Sequence, residues 1–226
     1  MSRNFLTPLV LPAGTASAAP LSLQSGINLT SATAGAVEYD GKVIYSTPAG
    51  RGVSPSMMFY RLNSNYAGSN ATGAQSLLGV GVTVSASTVY EFEGLFTLQK
   101  TSGTNAHTIG VLFGGTASLN NILSSFVFRR YDAASTSDAT SGTQTVVGGY
   151  NTTTSNLVVT GSIASANQTF MYFVRGTVSI NAGGTFIPQY QLSAAPGGAY
   201  STLAGSAFYI WPIGAAGSNT SVGPWA

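Results

Sequence analysis

The chain has no cysteine and a single histidine, and its 226 residues include only eight lysines and arginines and six aspartates and glutamates. An ordinary soluble domain carries about a quarter charged residues; here the share is 6%. The missing cysteines exclude a disulfide framework, a thiol nucleophile and a Cys-ligated zinc site. The scarcity of charge leaves few acids, bases or metal ligands. A surface kept in water by Ser, Thr, Asn, Gln and Gly suits a packed assembly or an extracellular particle better than a cytosolic enzyme. The net charge is only +2 and the basic residues are scattered, apart from Arg129-Arg130, which argues against nucleic acid as a partner. No apolar run reaches the roughly 18 residues of a membrane span, so no membrane insertion is expected. No phosphate-cradling loop, EF-hand or zinc spacing occurs, so neither cofactor nor metal is expected.

What the chain does contain is punctuation. Its 28 glycines and 9 prolines interrupt short β-branched and aromatic runs every few positions, and no stretch has the period of a long helix. Many strands at turn-sized spacing follow. The clearest is residues 88–98, where Tyr90, Phe92, Phe96 and Leu98 share one face with Gly94, and Val89, Glu91, Glu93, Leu95 and Thr97 share the other. A second is 168–180, with Phe170, Tyr172, Val174, Val178 and Ile180 on one face and Met171, Phe173 and Arg175 on the other. Further strands are expected at 57–62, 77–84, 108–113, 122–128, 157–163, 185–192 and 207–213, with breaks at Gly114-Gly115, Gly148-Gly149, Gly183-Gly184 and Pro196-Gly197-Gly198. The Ser/Thr/Gly-rich residues 132–156 read as a long loop or weak hairpin. The expected fold is an all-β antiparallel sandwich.

Residues 1–54 differ from the rest. They are proline-punctuated, with one hairpin predicted about Asp40-Gly41, and they read as an extended N-terminal arm, leaving 55–226 as the sandwich domain. The start also mimics a signal peptide: Arg3, an apolar stretch to Leu11, then Ala16-Ser17-Ala18. Pro8 and Pro12 interrupt that stretch and only one cation precedes it, which favours an arm lying against a neighbour. Several strands are apolar on both faces: Phe208, Ile210 and Pro212 oppose Tyr209, Trp211 and Ile213. With no crossover helices to cover a parallel sheet, the second face is expected to meet another copy of the chain.

Two stretches resemble tailed-bacteriophage virion structural proteins of the fibre-like and head-decoration kind. One is APLSLQSGINLT at 19–30 continuing through AGAVEYDGKVIY at 34–45. The other is the C-terminal part, with GTVSINAGGTFIPQY at 176–190, GSAFYIWPIG at 205–214 and the closing GPWA at 223–226. The opening RNFLTPLVLP at 3–12 is similar to the attachment ends of phage tail or fibre proteins. The resemblance covers under half of the chain. It implies a non-enzymatic homotrimer on the virion surface, with a jelly-roll-like sandwich similar to tumour-necrosis-factor heads. Its arm would fasten it to capsid or tail through anchors such as Phe5, Leu9 and Leu11. The alternative is a host-receptor-binding adhesin that takes a surface glycan through loops 63–75 and 132–156.

The residues able to do chemistry are few. Glu91 and Glu93 project from one strand face about 7 Å apart, inside the broad range of glycosidase carboxylates. However, such acids normally sit on facing elements, and adjacent like charges more often form outward ion pairs. His107 has no Gly-x-Ser-x-Gly elbow to serve and reads as a strand-edge or interface histidine. Arg129, Arg130, Tyr131 and Tyr150 are the candidate ligand or subunit contacts: guanidinium groups suit acidic surfaces or phosphorylated glycans, or end a strand and pair with Asp132, Asp138 or a neighbouring subunit. Tyr60, Tyr66 and Tyr150 could stack on sugar rings.

Overall fold

The computed structural model describes residues 10–131 and 146–225. Every regular element among them is a strand. A small antiparallel sheet comes first, built from β1 (Val37–Tyr39), β2 (Ile44–Ser46) and β3 (Gly52–Ser54). The short strands β4 (Met58–Arg61), β5 (Tyr66–Ala67), β6 (Gln75–Ser76) and β7 (Val82–Val84) follow. Then come β8 (Thr88–Lys100), β9 (Ile109–Gly114), β10 (Ser118–Tyr131) and β11 (Val146–Asn151). The chain ends with β12 (Leu157–Val158), β13 (Gln168–Ala182), β14 (Gly184–Leu192), β15 (Ser201–Thr202) and β16 (Ala207–Ala215).

The large sheet runs β11-β10-β13-β8. Beyond β8 it continues in two tiers, β16 then β4 along the first part of that strand and β15 then β5 at its end. The facing sheet runs β12-β9-β14, with β6 and β7 sharing the other edge of β14. All the pairings are antiparallel, and the two sheets close on one aromatic core, so the expected all-β antiparallel sandwich is what forms. Phe92 of β8 sits at its centre. Its ring lies 5.1 Å from Phe113, 5.7 Å from Phe186 and 5.9 Å from Phe208, and Phe113 and Phe186 stack at 4.8 Å. Burying each such ring contributes about 1.5–3 kcal/mol. Gly94, mid-strand on the same face, is glycine for a packing reason: a Cβ there would stand 2.5 Å from the Phe96 ring and 3.1 Å from Phe208.

The strict alternation read from 88–98 and 168–180 holds through β8 and β13, which pair residue by residue from Thr88↔Ile180 to Lys100↔Gln168. Four expectations need correcting. Of residues 77–84 only Val82–Val84 is strand: β6 already ends at Ser76, and Gly79, with a φ of 76°, turns the chain before β7. Only Leu157–Val158 of 157–163 is strand, the rest contributing one bridge from Ile163 to His107. Gly148-Gly149 is no break: both lie inside β11, opposite Val127 and Phe126, and the Phe126 ring covers the site where a Gly149 side chain would stand. The 132–156 region accordingly supplies a ladder strand at 146–151, while 132–145 lie outside the described residues.

The predicted hairpin about Asp40-Gly41 forms and gains a third strand, β3. Asp40 accepts the backbone N–H groups of Lys42 and Val43 at 2.8 Å each and the Tyr45 hydroxyl at 2.9 Å. Lys42 reaches across to donate to the Ala86 carbonyl at 2.9 Å, tying the small sheet to the turn before β8. Residues 10–35 contain no strand, and apart from Asn28 all of them are exposed.

Candidate functional site

The long strands put large apolar side chains on both faces of the large sheet, mixed with polar ones on the outer face, and among the described residues only the inner face is covered. On the outer face Leu95, Phe173 and Val127 stand in register across β8, β13 and β10, with exposures of 44%, 36% and 39%. The apolar surface extends to Leu123 and, at the far edge, to Phe59, 67% exposed and stacked on Tyr209 at 6.0 Å. A water-facing apolar row across three strands is a candidate interaction surface. The face also carries Glu91, Glu93, Arg175 and Arg129. Glu91 accepts from Arg175 at 2.6 Å, and that hydrogen bond, followed by the charges of Glu91 and Glu93, raises the Arg175 pKa.

Tyr150, Arg129 and Tyr131 fall on this face and Arg130 does not. Arg129 is opposite Met171 and Val146, and Tyr131 opposite Thr169. Arg130 has the core-facing parity of Phe126 and Phe128 and borders a cavity of about 280 Å³ with Phe128, Val159 and Ile163. Strand alternation thus separates two arginines that adjacency in sequence suggested as a unit. Tyr150, 73% exposed, is opposite Ser125, four positions and about 13 Å along β10 from Arg129. Tyr60 and Tyr66 are also exposed, though Tyr66 lies over Gly79. Leu11 is 40% exposed; Phe5 and Leu9 lie outside the described residues.

His107 sits in a buried polar cluster that the sequence reading missed. It is 1% exposed. Its Nδ1 is 2.7 Å from the Asn105 carbonyl and its Nε2 2.8 Å from the Tyr200 hydroxyl. A carbonyl can only accept, so Nδ1 carries the proton and the tyrosine donates to Nε2. Beside it Lys100, also 1% exposed, donates to the carbonyls of Gly103 at 2.8 Å and Ser165 at 3.0 Å, with its ammonium 5.7 Å from the centre of the Tyr200 ring. Burial pushes both pKa values down. The signal was in the sequence: Lys100 continues the even-numbered, core-facing parity of Tyr90 to Leu98.

Besides a hollow of about 770 Å³ lined by Asn28, Thr30, Arg51 and Pro224, two smaller ones open on the sandwich. An apolar cleft of about 210 Å³ opens between β4 and β7, with Phe208 and Ile210 behind it. A polar groove of about 350 Å³ runs between the β9–β10 turn and residues 152–154, lined by Asn120, Asn121 and three threonines. Among the described residues no three His, Asp or Glu side chains gather as a metal site would require, and no helix is long and apolar enough to cross a membrane. No protein-family model matches the chain, and neither does any curated protein.

Proposed function

We propose that this chain is a non-enzymatic virion structural protein of a tailed bacteriophage. It would form a homotrimeric surface knob held to capsid or tail by its N-terminal arm, as head decoration or short fibre. The observation that carries the reading is the half-exposed row of Leu95, Phe173 and Val127 on the outer face of the large sheet, which no described residue covers. Strand order supports it. One layer runs β4-β16-β8-β13 and the other β7-β14-β9-β12, with the β10–β11 hairpin added beside β13. That is the winding of an eight-stranded jelly roll, an architecture frequent in capsid and lectin domains. The threefold state comes from the phage resemblance. The exposed, strandless residues 10–35 suit an attachment arm, and three arms acting together turn a weak single contact into a durable one.

Light scattering on the purified chain at micromolar concentration tests assembly, with a trimer expected and a monomer fatal to the proposal. Deleting residues 1–20 tests attachment: the knob should stay folded and trimeric and be lost from virions. One observation favours the adhesin as a second reading. The groove at Asn120, Asn121 and Thr152–Thr154 offers amides and hydroxyls of the kind that bind sugar hydroxyls, and the ladder between β10 and β13 slips register between Leu119 and Asn121, an irregularity that often re-aims side chains at sites. A glycan array with the isolated knob separates the two readings.

A further inference from the structure

Residues 21–29 read Leu-Ser-Leu-Gln-Ser-Gly-Ile-Asn-Leu. Apolar residues stand at 21, 23, 27 and 29 with polar ones at 22, 24 and 28, the two-residue period of a half-buried strand. Yet this segment belongs to no strand, and Leu21, Leu23, Ile27 and Leu29 are 64%, 37%, 103% and 48% exposed. It is also held in place. The Gly26 N–H donates to the Tyr39 carbonyl at 2.9 Å, and Arg51, paired to Glu38, donates to the Leu29 carbonyl at 2.6 Å. A segment patterned for a sheet, anchored at one end and apolar toward water, is built to complete a sheet elsewhere.

One place that joins an open strand edge to an apolar cleft lies at β4 and β7. The cleft between β4 and β7 is lined by Met58, Tyr60, Leu78 and Val80, over Phe208 and Ile210. Among the described residues β4 pairs only with β16 and β7 only with β14, so both sheets end here with an open strand edge. Exposed edges are normally guarded by lysine, proline or bulges. All four residues of β4 are exposed, and Met-Phe-Tyr-Arg contains neither proline nor lysine. In a single chain the segment and the cleft do not meet. The flat outer face of the large sheet offers side chains but no free backbone groups, whereas the edge of β4 offers both.

We infer that residues 21–25 of one copy, the part of this segment beyond its Gly26 and Leu29 anchors, add as a strand to the open edge of β4 in a neighbouring copy, laying Leu21 and Leu23 into its cleft, with Ser22 and Gln24 facing outward. Backbone hydrogen bonds supply the attachment and the alternating leucines fix its register. This rests on the proposed homo-oligomer and names a contact within it. Because the chain has no cysteine, single-cysteine pairs make a clean test. Leu23→Cys and Val80→Cys chains, differently tagged, are mixed and oxidised, with Ser69→Cys replacing Val80→Cys as control. The expected result is a disulfide between unlike chains for the first pair, well above the control. The Leu23→Cys/Val80→Cys double variant, linked within one chain at high dilution, would place the segment on its own cleft and overturn the inference. A wild-type oligomer with no cross-link above control would overturn it while leaving the homo-oligomer standing, and a wild-type monomer would remove both.

Discussion

The two faces of the large sheet both carry large apolar side chains, the inner one almost exclusively and the outer one among Glu91, Glu93, Arg175 and several threonines, and they meet opposite fates. In β8 the inner face presents Phe92, Phe96 and Leu98, each at most 1% exposed, and the outer face presents Leu95 at 44%; in β13, Phe170 is fully buried and Phe173 is 36% exposed. Local propensity does not distinguish them, since both face types favour extended backbone equally. What differs is the opposing layer. β9 and β14 supply Phe113 and Phe186 to the inner face, and nothing among the described residues covers the outer one. Apolar alternation therefore shows where a sheet has two buried faces without showing which of them is the core and which is an interface.

Substitutions on the two faces should separate folding from assembly. Phe92→Ala removes a ring that contacts three others, and should cost about 3–5 kcal/mol in denaturant unfolding; a cost under 1 kcal/mol would mean that the sandwich is not packed as described. Leu95→Glu with Phe173→Gln on the outer face should abolish the oligomer by light scattering, while the unfolding free energy of the dissociated chain changes by no more than about 1 kcal/mol. A smaller effect, directional only, is expected where the inner face ends at His107. Burial, together with the nearby Lys100 charge, holds its pKa below the ordinary 6.5, so the unfolded chain takes up that proton more readily than the folded one. Stability should fall as pH drops from 6.5 toward the folded pKa and level off below it. Unfolding measured across pH 7.5 to 5 should show this slope, and His107→Gln should flatten it. The least effect is expected of Glu91→Gln with Glu93→Gln, outer-face residues to which no catalysis is assigned. Oligomer and melting midpoint should stay close to wild type; cleavage of host-envelope polysaccharide by wild type, lost in this variant, would make the protein a depolymerase.

The long strands were legible because their signal is period and length, and β8, β10 and β13 sustain alternation over enough residues for chance to be excluded. Short elements were not. Leu77 to Val84 is one apolar run by composition, broken where Gly79 adopts a left-handed turn, and Gly148-Gly149 has turn chemistry yet lies under the ring of Phe126. The second outcome depends on a residue distant in sequence, Phe126. The same holds for the sites. The buried Lys100 could be read from parity, but its neighbours His107 and Tyr200 meet only through tertiary pairing, and the adjacent Arg129 and Arg130 were split by the pleat. The outer apolar face was expected from strands such as 207–213, and the cleft between β4 and β7 was not, because it exists only where two sheet edges happen to end together.

The large sheet joins β8 to β16, segments more than a hundred positions apart, and then joins β16 back to β4. During translation at roughly 5–20 residues per second, β8 leaves the ribosome on the order of ten seconds before its partner. In that interval only pairings between nearer segments, such as β10 with β11 and β10 with β13, can form. Sheets completed by such distant pairings fold slowly, in about milliseconds to seconds, and until then the phenylalanines of β8 and both apolar faces of β13 are open to solvent. The topology therefore makes production of this protein a race between closure by its own C-terminal strand and capture by other nascent chains. Lower synthesis temperature or chaperone supply should shift the soluble yield more than any single stabilising substitution.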